Sequence, residues 1–105
     1  MASDSSALIE RTEENVLSVR SDLTFATVTA VLAQSRSLLE KVTSSGLVID
    51  LADVPRADSA GLALLMQWLR MGQTQGADVR FRHLPEQLLA IARASDLDGL
   101  IPLEG

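Results

Sequence analysis

Residues 47–65 read Leu47-Val48-Ile49-Asp50-Leu51-Ala52-Asp53-Val54-Pro55-Arg56-Ala57-Asp58-Ser59-Ala60-Gly61-Leu62-Ala63-Leu64-Leu65, and two periodicities meet inside them. The first five are apolar apart from Asp50 and include two β-branched residues, without polar alternation. That is the pattern of a central strand buried on both faces, and Pro55 closes it. From Asp58 the period changes: Leu62, Leu65, Met66 and Leu69 share one face at 3.6 residues per turn. Asp58-Ser59 opens this helix and Gly72 or Gly76 ends it. A strand followed by a helix predicts a crossover to a second, parallel strand.

That strand is expected over Asp78–Leu84, where Val79, Phe81 and His83 alternate with Arg80 and Arg82. Pro85 suits the first position of a third helix, carried by Leu88, Leu89, Ile91 and Ala92 to Ser95. Leu97 to Leu103 is a short apolar tail, a candidate edge strand. On the N-terminal side, Phe25, Val28, Val31, Leu32, Ser35, Leu38, Leu39 and Val42 recur at three- and four-residue steps. They describe one face of an amphipathic helix, with Ser21 or Thr24 as its cap and Ser44-Ser45-Gly46 as its end. Ala7–Glu10 and Asn15–Arg20 are extended candidates separated by Arg11–Glu14, which suggests an antiparallel hairpin. Residues 1–6 read as a flexible tail. The expectation is an α/β fold: a mixed β-sheet with an N-terminal hairpin followed by alternating strands and helices, in a single domain across residues 1–105.

Composition excludes several functions. The 105 residues are 47% hydrophobic and 3% aromatic, so aliphatic side chains must fill the core. There is no cysteine, and with it go disulfides, thiolate zinc sites and a cysteine nucleophile. Net charge is −5 and Lys41 is the sole lysine, which argues against nucleic acid. The polar, acidic start argues against a secretory signal. The unbroken run Ala60–Met66 falls far short of the ~20 residues that span a bilayer. Any membrane contact is expected to be indirect.

Catalytic candidates are few. His83 is the only histidine, so no multi-histidine metal site exists and one base at most is available. Lys41 precedes Val42, outside any phosphate-binding loop motif. Asp50 and Asp53 follow a strand and read as turn and cap residues before metal ligands. No catalytic residue, metal or cofactor is expected. Asp58 and Ser59 stand where a strand hands over to a helix, so free backbone N–H groups collect around them. They are caps by one reading and, by another, the seat of an anion or of a phosphate on Ser59.

The following helix adds a second feature. Ala60, Leu64, Gln67 and Met71 fall on or near the face opposite the sheet-facing stripe. Leu64 and Met71 are apolar there, where a monomer's surface helix carries charge. Such a face is covered by a partner or by the chain's own termini.

Together these stretches resemble the STAS family, named for sulfate transporters and anti-sigma factor antagonists, from about Ala7 to Leu103. The resemblance is carried by Leu47–Val54, by Ala57–Leu65 with its Asp-Ser/Thr-x-Gly-Leu helix start, and by Gly76–Phe81. Within the family the nearer likeness is to the STAS subunit of the Mla phospholipid ABC transporter (maintenance of lipid asymmetry). There Asp-Thr-Gly-Gly-Leu-Ala-Leu-Leu stands against Asp58–Leu65 here, with Ser59 for threonine and Ala60 for glycine. The resemblance implies a non-enzymatic cytoplasmic subunit, peripheral to the inner membrane, that binds the transporter's ATPase through Ser59, Ala60, Leu64, Gln67 and Met71. Anti-sigma factor antagonists are the alternative. In them Ser59, beside Asp58, would be phosphorylated and the partner would be an anti-sigma factor kinase.

Overall fold

The computed structural model describes residues 7–42 and 46–104. The tail expected over residues 1–6, and Ser44-Ser45 as a helix end, lie outside the described residues. β1 (Ile9–Glu13) and β2 (Val16–Val19) form the expected hairpin, with Ile9 opposite Val19 and Arg11 opposite Leu17. Arg11–Glu13, expected as turn, instead extend the first strand. They are exposed positions of an edge strand, which charge and a bulge between Arg11 and Glu13 keep from pairing further. The reversal is left to Glu14-Asn15, and the Arg11 guanidinium donates to the Glu14 carbonyl at 2.7 and 3.0 Å.

β3 (Gly46–Asp50) and β4 (Asp78–Arg82) complete a four-stranded sheet in the order β1-β2-β3-β4, with β2, β3 and β4 parallel. Gly46, read as part of a helix end, is the first residue of β3. Because each crossover moves one strand in the same direction, right-handed connections place α1 (Val28–Glu40) and α2 (Ser59–Gln75) on one face, side by side. α1 packs on β1, α2 on β4, and α2 also touches α1 and α3 (Glu86–Ala94). The parallel register lines up Leu17, Ile49 and Phe81 beneath the helices, and all three are buried. Val16, Ser18 and Val48 occupy the other face and are buried too. They are flanked by the Glu10–Arg20 and Asp78–Arg80 ion pairs.

Trp68 fills the seam between α1 and α2. Its indole N–H donates to the Ser35 hydroxyl at 2.9 Å, and that hydroxyl donates to the Leu32 carbonyl at 2.7 Å. A buried polar pair is thus satisfied inside an aliphatic core. α2 ends at Gly76, whose φ of 76° makes it the left-handed cap. The last strand stops at Arg82: His83 has φ 60° and is exposed, so it is not an inward position. Pro85 is the residue before α3, one earlier than expected. Past a 3-10 turn at Asp98–Leu100, the Phe81 N–H donates to the Pro102 carbonyl and the Glu104 N–H to the Phe81 carbonyl, both at 2.9 Å. The apolar tail therefore adds a short parallel bridge to the β4 edge. Among the described residues, no helix is long and apolar enough to cross a membrane.

Candidate functional site

Asp58 organises the start of α2. Its carboxylate Oδ1 accepts the Ala60 N–H at 2.9 Å and Oδ2 accepts the Phe25 N–H, 33 residues away, at 3.1 Å. Its own N–H donates to the Leu23 carbonyl at 3.1 Å, and the Leu23 N–H donates to the Arg56 carbonyl at 2.8 Å. The strand-to-helix loop is therefore stitched to the turn before α1. Asp58 takes the capping role that sequence left open between it and Ser59. Ser59 is the first helical residue, exposed, and its hydroxyl has no hydrogen-bond partner among the described residues.

The turn before α1 differs from expectation. Neither Ser21 nor Thr24 caps the helix; it begins at Val28, after Thr27. The Thr27 hydroxyl accepts the Thr24 N–H at 3.0 Å and donates to the Asp22 carbonyl at 2.6 Å. Phe25, assigned by spacing to the buried stripe, thereby lies outside the helix and 87% exposed. The remaining stripe residues do face inward, Val31, Ser35 and Leu39 fully.

Between the N-terminal halves of α1 and α2 runs a groove of about 550 Å³. Val28, Thr29 and Leu32 line it from α1, Ala60, Ala63, Leu64 and Gln67 from α2, and Phe25 from the preceding turn. Ser59 precedes Ala60 at its end. Of the residues expected to meet a partner, Ala60, Leu64 and Gln67 thus come together, with Ser59 beside them. Met71 does not join them. It lies about one turn beyond Gln67, about 6 Å further along the helix, in a separate depression of about 200 Å³ with Arg36, Glu40, Thr74 and Gln75.

Leu64 also needs correction as an outward residue, because it is 4% exposed and belongs to the core. Among the described residues, the apolar second face of α2 is flanked by α1, which packs beside it. Met71 is half-buried against the same core. Phe25, Val28, Thr29, Leu32 and Ala63 were not assigned to the site from sequence. Thr27 was the signal for Phe25: placed at the position before the helix, it leaves Phe25 three residues ahead of Val28.

A second polar cluster sits at the C-terminal ends of β3 and β4. Asp50 Oδ1 accepts the Ala52 N–H at 3.0 Å and lies 2.9 Å from His83 Nδ1, while Oδ2 accepts from Arg82 at 3.1 Å. Arg82 also reaches Glu104 at 3.4 Å. Burial raises the Asp50 carboxyl, but hydrogen bonds from His83, Ala52 and Arg82, with the Arg82 charge, outweigh it and hold the pKa below its usual value. Every acceptor direction is used for tying loop to sheet, which makes Asp50 a structural residue.

A depressed carboxylate contributes stability that is complete above the unfolded pKa, about 3.9, and is lost as pH falls through the folded value. The stability difference between the native chain and Asp50→Asn should therefore stay constant above about pH 5 and shrink below about pH 4. Denaturant melts across that range test this; a constant difference down to acid pH would refute it.

An opening hairpin, a mixed sheet and helices stacked on one face, with an Asp-Ser start to α2, define a STAS fold, a class of protein-interaction modules. The family described as "Mlab, STAS domain" matches residues 6–102, and the chain belongs to it. Among solved structures, a crystal structure of a protein called Mglu is similar at TM-score 0.57 and 28% identity, over 75% of this chain and 19% of that one. This chain thus spans about a fifth of that protein. No curated protein matches.

Proposed function

We propose that residues 1–105 act as one non-enzymatic domain, a regulatory and assembly subunit that docks on the cytoplasmic ATPase of an Mla-type phospholipid-transport ABC complex. ATP hydrolysis belongs to that partner, and the domain reaches the inner membrane only through it. The observation that carries this reading is the membership of the MlaB-like family. The geometry supports it with a groove of uncharged lining that ends at an exposed serine whose hydroxyl has no partner among the described residues. The contact comprises Ser59, Ala60 and Gln67, with Leu64 as the buried wall beneath them and Met71 outside its centre.

The test is titration of Ser59 variants against the purified ATPase subunit of the same organism's transporter. Ser59→Asp should melt within a degree or two of the native chain, because its charge sits at the positive end of the α2 dipole, offset by Asp58. It should nevertheless bind about tenfold or more weakly than Ser59→Thr, since a carboxylate loses its water against a surface shaped for a neutral hydroxyl. Equal binding by the two variants removes Ser59 from the contact, and no binding by the native chain removes the transporter reading. The exposed Ser59 hydroxyl also suits phosphorylation, so the alternative is an anti-sigma factor antagonist. Specific phosphate transfer to Ser59 by an anti-sigma factor kinase would establish it.

A further inference from the structure

We propose that Phe25 is the anchor by which this domain grips its partner, and that the partner is a different protein with an uncharged apolar pocket for an aromatic ring. The inference rests on the docking reading above and deepens it. The chain has two phenylalanines and one tryptophan. Trp68 and Phe81 are 0% exposed, whereas Phe25 is 87% exposed. An aliphatic core that takes in two of three aromatic rings leaves the third in water at the rim of the groove between α1 and α2.

The backbone beneath that ring is fixed. Asp58 holds the Phe25 N–H at 3.1 Å, and the Thr24 N–H is held by the Thr27 hydroxyl at 3.0 Å. Only the side-chain torsions remain to be ordered on binding, so a pre-set aromatic group gives up little conformational freedom. Aromatic side chains in such positions dominate interface energetics.

The surroundings specify the partner's chemistry. None of the residues lining the groove is charged. α1 and α2 carry only Arg36, Glu40 and Arg70 between them, all in their C-terminal halves. In a chain of net charge −5 the groove lining is thus neutral, and the Asp58 carboxylate at its end is engaged by the Ala60 and Phe25 N–H groups, so a charged partner surface would lose its hydration without a free counter-charge. A second copy fits poorly. Eight residues line the groove, against the roughly 20–30 a side of a stable interface, and a symmetric pair would present the same small patch twice. A larger, different partner can extend its contact beyond the groove.

The experiment places the photo-crosslinking residue p-benzoylphenylalanine at position 25 or, separately, at position 63 of the full chain in its native host, and identifies products by mass spectrometry. Affinities of Phe25→Ala and Phe25→Leu for the crosslinked protein are then measured with purified components. The expected result is a crosslink from position 25 to one heterologous protein, with Phe25→Ala weakening its binding about 30-fold or more. Phe25→Leu should be intermediate, and neither variant should move the melting temperature. If that protein is the ABC ATPase subunit, both the anchor and the transporter reading stand. If it is another protein with the same loss of affinity, the anchor stands and the transporter reading falls. A crosslink to a second copy or to the chain's own residues 1–6 overturns the anchor. So does the absence of any crosslink from position 25, or an affinity for Phe25→Ala within about threefold of native.

Discussion

Leu64→Glu is expected to abolish folding of the isolated domain, while Ala63→Glu one residue earlier leaves it folded and blocks docking. Leu64 is 4% exposed and part of the core cluster, so the substituted carboxylate must be buried without a partner or force α1 off α2. Either outcome costs several kcal/mol, a large part of the ~5–15 kcal/mol that holds a domain together. Ala63 lines the same groove but is exposed, and its carboxylate can keep its water until a partner arrives. Circular dichroism melts report the fold and titration against the ATPase subunit reports the docking. A Leu64→Glu domain with a native melting temperature would show that α1 does not seal this side of α2.

The same residue shows what sequence could and could not specify. Periodicity correctly found Leu64 and Met71 to be apolar away from the sheet-facing stripe, and correctly required a cover for them. It could not name the cover, because a helical wheel treats each helix as lying on a sheet alone. Two right-handed crossovers that step the same way put α1 beside α2, which gives α2 two buried flanks. Trp68 and Ser35 record that adjacency in one hydrogen bond across 33 residues, a pairing invisible in either helix's own pattern.

The existence of β3, β4 and α2 was legible because strong local signals agreed, though the ends of the strands shifted and the stop of α2 was left between Gly72 and Gly76. β3 is a continuous apolar run, β4 alternates, and α2 has both an Asp58 cap and a Gly76 stop. The start of α1 was obscured by rival signals, since Ser21, Thr24 and Thr27 all offer a capping hydroxyl. None of the three caps the helix with its hydroxyl; the Thr27 hydroxyl and the Asp58 hold on the Phe25 N–H tie the preceding turn instead. The hold by Asp58 is a tertiary contact, and with the Thr27 bonds it decides whether an aromatic ring is core or surface.

Gly61→Ala should be the most damaging of the conservative changes at this site. A Cβ at Gly61 would stand 2.5 Å from the Leu23 carbonyl oxygen and 2.9 Å from the Leu23 Cβ. The obstacle is largely backbone, and it cannot swing aside. The Leu23 carbonyl accepts the Asp58 N–H, the Leu23 N–H is held by Arg56, and the side chain is fully buried. In an open helix the same substitution gains up to about 1 kcal/mol from helix propensity. Here overpacking reverses the sign, and we expect a net loss of about 2–3 kcal/mol, or a fall in melting temperature of roughly 8–20 °C. Gly99→Ala, where nothing lies within 4 Å, serves as the control and should change little. Because Leu23 is two residues from Phe25, relief of the clash should also loosen the Phe25 N–H bond to Asp58. Amide hydrogen exchange then separates the two effects. Faster exchange at Phe25 and Asp58 than at the α3 amides marks local displacement of the turn, whereas uniform acceleration marks global destabilisation alone. A Gly61→Ala domain as stable as the native chain would mean that α2 can withdraw from Leu23 without cost, and that the close approach is not what fixes the turn.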